Sequence, residues 1–222
     1  MVAKRKKQFA VIGMGRFGSS LARTLYRMGF EVLAIDSDEH RIEDVIHEVT
    51  HGVQADCTDE EALKSLGLRN FDVVVVAIGQ DIQASIMATL ILKEMGVPKL
   101  IVKAQNELHG KVLSKIGADR VVFPERDMGQ RLAHSLISPN VLDYIELADD
   151  FSIVEAAATP PMYGKSLAQL AIRQKYGCTV IAIKNGKKMN ISPRAEDVIH
   201  EGDILVLVGN NDAIRQFEVS FP

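Results

Sequence analysis

Gly13-Met14-Gly15-Arg16-Phe17-Gly18 is a G-x-G-x-x-G run set between the apolar stretch Phe9-Ala10-Val11-Ile12 and a segment of helical period. The spacing is common in itself, and the strand before it and the helix after it are what give it chemistry. Gly13 permits the tight turn, Gly15 leaves the backbone open to a phosphate, and Gly18 lets the helix close on the sheet. Free N–H groups and the positive end of the helix dipole then face an anion. A glycine turn without a ligand is the alternative. Asp36 ends the next apolar run, 21 residues past Gly15, where a carboxylate can accept adenosine ribose hydroxyls and repel a 2′-phosphate, which disfavours NADP. Asp56, Ile78, Gly79 and Lys103 follow the later apolar runs, and Phe17, Ser37 and Cys57 complete the candidate nucleotide-binding set. A solvated turn is the other reading of Asp56 or Lys103 taken singly. Arg16 beside the loop adds charge-assisted hydrogen bonds of about 1.5 to 3 kcal/mol to an anionic tail. It tilts the choice toward ATP or ADP, unless it is an ordinary solvated arginine.

These residues need a scaffold, and the first 140 positions supply one. Apolar runs at 9–13, 31–35, 52–55, 72–77, 99–102 and 120–123 read as buried strands. Helical periods near 16–28, 38–48, 59–66, 80–95 and 107–116 alternate with them, predicting an α/β fold with a doubly wound parallel Rossmann sheet of order 3-2-1-4-5-6. The candidate residues then share the sheet's carboxyl edge, where open α/β sheets bind ligands. A further helix over 124–138 carries Met128, Leu132 and Leu136 at four-residue spacing and stops before Ser138-Pro139-Asn140. The expected domains are 1–139 and 140–222, the second a small α+β lobe. Its strands are expected near 143–147, 151–158, 178–184 and 203–209, its helices near 165–175 and 210–218. Asn185-Gly186 marks a hairpin between Val180–Ile183 and Met189–Ile191.

The 222 residues are 47% apolar and 25% charged, a composition that buries a core without disulfides or a structural metal. A net charge of -3 argues against nucleic acid as a partner. The one concentrated positive run, Lys4-Arg5-Lys6-Lys7, reads as a solvated tail and not as a recognition helix. Cys57 and Cys178 have no zinc or disulfide spacing, which fits a reducing cytoplasm. The basic N-terminus lacks the small-residue cleavage site of a signal peptide, and no apolar run approaches the ~20 residues of a membrane helix. The six histidines are scattered, and no nucleophile-elbow or Walker motif occurs. The expectation is therefore a chain that is not an enzyme. An NAD-dependent oxidoreductase is the rival reading of the same glycine run and Asp36, with the small second lobe counting against it.

The glycine run, Asp36, Val74–Gly79, Gln83-Ala84-Ser85, Val102–Gln105, Lys115–Ala118 and Pro124–Met128 together resemble the RCK domains of potassium transport, closest to the KtrA and KtrC type of gating subunit. In the second lobe Gly164–Leu167, Ile172-Arg173, Tyr176-Gly177, Pro193 and Gly202–Val206 resemble the RCK C-terminal, or TrkA-C, subdomain. The resemblance implies a cytosolic regulator that is peripheral to the inner face of the membrane through its partner. Dimers would assemble into an octameric ring beneath a membrane potassium-translocating subunit, with ATP and ADP competing at the glycine loop. It implies that copies pair through the first lobe and helix 124–138, and again through the C-terminal lobe, although Met128, Leu132 and Leu136 equally suit an intrachain core. It places Glu125 where a carboxylate meets the nucleotide phosphates through a cation, Mg2+ or another, across the dimer. An ordinary first-turn glutamate is the alternative. It also places cyclic di-AMP between two C-terminal lobes, at Ile172, Arg173, Tyr176, Thr179, Asn190, Ile191 and Pro193. There an ordinary dimer contact or a small core is the other reading.

Overall fold

Val73-Val74-Val75-Val76 is apolar on both faces, as a strand must be when helices cover both sides of a parallel sheet. The computed structural model describes residues 6–137, 140–148 and 150–221 and divides into two units, Met1–Pro124 and Glu125–Pro222. The first runs β1 (Gln8–Ile12), α1 (Arg16–Arg27), β2 (Glu31–Asp36), α2 (Glu39–Glu43), β3 (His51–Gln54), α3 (Glu60–Ser65), β4 (Val73–Val76), α4 (Ile82–Glu94), β5 (Leu100–Lys103), α5 (Glu107–Ile116) and β6 (Arg120–Val122). All six strands are parallel in the order β3-β2-β1-β4-β5-β6, the order expected from the sequence. The two-residue period of a strand splits the core in two. Ala10, Ile12, Val74, Val76, Leu100 and Val102 pack on one face, while Val11, Val32, Ala34 and Val75 pack on the other.

The expected helix over 38–48 is shorter. It stops at Glu43 and resumes only as a 3-10 turn at Ile46–Glu48, because the adjacent β-branched Val45 and Ile46 disfavour a continuous helix.

The second unit takes in α6 (Pro124–Ile137), whose last expected residue, Ser138, lies with Pro139 outside the described residues, as do Lys4 and Arg5. The division falls at Pro124/Glu125, so α6 groups with the C-terminal sheet, whereas the boundary expected at Ser138-Pro139-Asn140 assigns it to the nucleotide-type domain. After α6 come β7 (Val141–Ala148), β8 (Phe151–Ala157), α7 (Leu167–Leu170), α8 (Ile172–Tyr176), β9 (Thr179–Asn185), β10 (Lys188–Ile191), β11 (Ile204–Asn210) and α9 (Asn211–Ser220). The strands form an antiparallel sheet, β10-β9-β11-β8-β7. The hairpin forms where expected, with Lys188 opposite Asn185 and Gly186 at φ 56°. The helix expected over 165–175 is two short helices broken at Ala171, which sits in the left-handed region at φ 49°. Leu170 and Ile172 are both buried, and residues two apart do not share a helix face, so the break is what lets both reach the core.

Candidate functional site

The N-terminus of α1 is built unlike its neighbours. Asp38, Asp59, Asp81 and Asn106 cap α2, α3, α4 and α5 with side-chain oxygens, whereas Gly15 at the N-cap of α1 offers none, and no acidic residue occupies its first turn. The orphan N–H groups that every helix start carries are therefore left to an external acceptor. A methyl group added at Gly15 would meet nothing within 4 Å, so the space above the loop is open. Gly13 and Gly18 are glycines for the opposite reason. Gly13 has φ 94°, a Cβ there would come within 3.1 Å of the Ala77–Ile78 backbone, and one at Gly18 would run into the Gly13 carbonyl. Gly13 N–H donates to the Ile35 carbonyl at 2.7 Å, and Ala77 N–H to that of Ile12 at 2.7 Å, fixing the loop between β2 and β4.

Around this loop the structure gathers most of the expected residues. Asp36 is 6% exposed, and its Oδ2 accepts the Met14 N–H at 2.6 Å while Oδ1 accepts the Asp38 N–H at 2.9 Å. Lys103, 7% exposed, runs beside Gly79, with Nζ 5.8 Å from the centre of the Phe17 ring. Ile78 packs on the core at the end of β4. Arg16 opens α1 as an exposed side chain, and its guanidinium forms no hydrogen bond or ion pair with a described residue. Asp56 is exposed, and the Thr58 N–H and hydroxyl, both 2.8 Å from Oδ1, hold its pKa below the usual carboxylate value. Burial pushes the Cys57 thiol up to about 11, helped by the charges of Asp56, Asp36 and Asp81. Cys57 is thus a neutral thiol at pH 7 and no nucleophile. Ser37 is exposed, and its carbonyl accepts from the Gln54 amide at 3.0 Å.

Two residues that sequence reasoning missed belong here. Arg41 of α2 lies 3.7 Å from Asp36 Oδ2 and 3.4 Å from Asp38 Oδ2, a cation beside the buried Asp36 carboxylate. Its signal was the three-residue spacing to Asp38, which brings the two together only once the helix forms. Asp81 caps α4 through the Ala84 N–H at 2.8 Å. Glu125 lies in the first turn of α6, in the second unit.

The residues expected for the second ligand are spread over α8 and the β9–β10 hairpin. Arg173 is exposed, whereas Ile172 is 3% exposed and part of the second unit's core. Tyr176 stacks edge-on with Phe217 and Phe221, each centroid 5.9 Å away. Thr179 pairs with Val208, Ile191 is exposed on β10, and the Asn190 amide donates to Asp197 at 2.8 Å. Tyr176 lines an open cavity of about 400 Å³ with Lys175 and Arg215, and Asn190 a separate one of about 300 Å³ with Asp197 and Asp203. Among the described residues the only non-glycine positive φ angles are at Ala171 and, between Ile191 and Pro193, at Ser192, φ 62°. Backbone strain of this kind gathers at functional sites. No group of three or more potential metal-ligating side chains occurs among the described residues, and no helix among them is long and apolar enough to cross a membrane.

Known proteins match both units. The TrkA-N domain matches residues 9–124 and the TrkA-C domain residues 151–221. The chain is 54% identical over 213 residues to Ktr system potassium uptake protein C of Bacillus subtilis (strain 168), covering 96% of both chains. It is 52% identical over 214 residues to Ktr system potassium uptake protein A of the same organism, again over 96% of both. Among solved structures, the GsuK channel bound to NAD shares the fold at TM-score 0.68 and 18% identity, over 100% of this chain and 41% of that one. With a parallel nucleotide-type sheet ahead of a small antiparallel lobe, and with this identity over nearly its whole length, the chain belongs to the Ktr potassium uptake family of RCK proteins, a TrkA-N domain followed by a TrkA-C domain.

Proposed function

We propose that the chain is a regulatory, non-catalytic subunit of a potassium uptake system. It binds ATP and ADP at the Gly13–Gly18 loop and passes the state of that site to a membrane potassium-translocating partner, working at the cytoplasmic face of the membrane as a ring of paired copies. The observation that carries this reading is the uncapped N-terminus of α1 with Arg16, which has no partner among the described residues, in its first turn. A helix start of this kind suits a phosphate, and the cation adds most where a third phosphate is present. The names of its relatives, potassium uptake proteins, supply the context. Gly15, Arg16, Phe17 and Gly18 take the phosphates, Asp36 and Ser37 the ribose, and Asp56, Cys57, Ile78, Gly79 and Lys103 the remaining edge. Glu125 contributes one carboxylate to a cation, Mg2+ or another, at the phosphates of a nucleotide held by a second copy.

The C-terminal lobe takes cyclic di-AMP between two copies, with Arg173 of each pairing with a phosphate and Tyr176, Ile191 and Pro193 offering apolar surface. Support comes from the exposure of Arg173 and Ile191 and from the two strained residues, Ala171 and Ser192, that flank the segments.

Isothermal titration of the full chain with ATP, ADP, NAD, NADH and cyclic di-AMP is the test. ATP and ADP should bind more tightly than either nicotinamide dinucleotide. NADH binding more tightly than both would support the oxidoreductase reading in its place. For cyclic di-AMP, Arg173→Ala removes both anchors of a two-fold site at once and should cost about a hundredfold in affinity while leaving ATP binding unchanged.

A further inference from the structure

A carboxylate at the end of the second strand is expected to serve the ribose. Here both oxygens of Asp36 are already engaged by backbone donors. Oδ2 accepts the Met14 N–H at 2.6 Å, inside the glycine run, and Oδ1 accepts the Asp38 N–H at 2.9 Å, just before α2. The side chain is 6% exposed and spans 22 residues of sequence to reach Met14. Met14 is itself buried, so its N–H depends on this carboxylate for a partner. Arg41 stands 3.7 Å from the same Oδ2 and bridges to Asp38, keeping a positive charge against the carboxylate from α2.

We propose that Asp36 is a positioning residue for the phosphate loop as well as a ribose ligand, so that the two ends of the nucleotide site are coupled through one carboxylate. This deepens the nucleotide reading above and rests on it. An oxygen that accepts from Met14 and from a ribose hydroxyl shares its lone pairs between loop and ligand. Occupation of the ribose end therefore bears on the geometry of Gly13-Met14-Gly15, where the phosphates sit. The coupling predicts that a ligand with no ribose still senses Asp36, which a purely ribose-binding carboxylate does not allow. Asp36→Asn tests it, because the amide has the same shape but keeps one acceptor oxygen and must leave either Met14 or Asp38 facing an NH2 group.

The experiment uses the full chain in two arms, with circular dichroism to check that the variant folds. In the first, amide hydrogen exchange is followed at Met14 without ligand. Exchange should be at least about tenfold faster in Asp36→Asn than in the wild type. In the second, inorganic tripolyphosphate and ATP are titrated into both proteins. Tripolyphosphate affinity should fall about tenfold in the variant, and ATP affinity by at least as much. Unchanged exchange at Met14 overturns the proposal, as does a variant that loses ATP but keeps tripolyphosphate at wild-type affinity. A wild type that binds neither probe overturns the nucleotide reading and the coupling with it, and is recognised by the failure of the wild type itself. If the variant does not fold, wild-type exchange is compared with and without saturating adenosine, which has a ribose and no phosphate. Adenosine should slow exchange at Met14 several-fold, and an unchanged rate overturns the coupling.

Discussion

Three glycines of the same motif are required for different reasons, and substitution separates them. Gly18 lies against the Gly13 carbonyl and Gly13 has φ 94°, so a side chain at either disturbs the turn itself. Gly15 has φ -66° and open space around it, so Gly15→Val should leave the circular dichroism spectrum unchanged and abolish ATP and ADP binding by filling the phosphate approach. Full affinity in a folded variant would remove the loop as the site. Arg16 separates the nucleotides. With no partner among the described residues to lose, Arg16→Ala should leave stability unchanged and weaken ATP more than ADP, by about 1.5 to 3 kcal/mol for a charge-assisted bond to the third phosphate. Equal losses for the two, measured by titration, would place the guanidinium elsewhere. Arg41 gives the NADP expectation a second term. Asp36 alone would repel a 2′-phosphate, and a cation 3.7 Å away offsets part of that repulsion, so NADP should bind still more weakly to Arg41→Ala than to the wild type.

At the scale of elements, α5 carries a buried histidine whose protonation its fold does not accommodate. His109 is 3% exposed and accepts the Gln105 N–H on Nδ1 at 3.3 Å, which leaves the proton on Nε2, a buried atom with no partner among the described residues. Burial lowers its pKa below the ordinary value of 6.5. The unfolded chain therefore takes up a proton near pH 6.5 while the folded chain still refuses it, and the stability that His109 contributes is present above pH 6.5 and lost as the pH falls below it. The thermal midpoint should drop between pH 7.5 and 5.5, and His109→Gln should flatten that part of the drop. An equal slope in the variant would assign the dependence to other groups.

The parallel sheet and its order were legible in the sequence because runs such as Val73–Val76 are apolar on both faces and separated by helical periods. The glycine loop was legible because its spacing is set by backbone geometry. The break at Ala171 was not, since only the core shows that Leu170 and Ile172 must both turn inward. For the same reason Ile172, expected on a ligand surface, is found in the core. Met14 came into the site through the hydrogen bond of its N–H to Asp36, 22 residues away, which leaves no local pattern, and Arg41 through ion pairs with Asp36 and Asp38, of which only the second has a local spacing.

At the scale of the whole molecule the question is what helix α6 faces. Met128, Leu132 and Leu136 succeed one another at four-residue spacing on it, and all three are more than half exposed. They therefore do not form the intrachain core that the spacing alone allowed. A helix leaving such a stripe to water loses the burial that stabilises amphipathic helices, about 1.5 to 3 kcal/mol for each large apolar side chain. Arg131, on the same helix, is held by Asp143 of β7 at 2.8 Å, which keeps the carboxyl of Asp143 below its ordinary pKa and fixes α6 against the second unit's sheet. A stripe held in place and more than half exposed suits a second copy of the chain, since a two-fold contact sets identical stripes against each other and buries both. Leu132→Arg puts two like charges at the centre of that contact and removes its apolar middle. Sedimentation should then show the assembly reduced to smaller species, with a circular dichroism spectrum like that of the wild type. ATP binding per chain should persist at reduced affinity, because the proposed site takes its phosphate loop from one copy and its Glu125 carboxylate from the other. An unchanged assembly mass in the variant would mean that copies pair elsewhere and that the stripe serves a different partner.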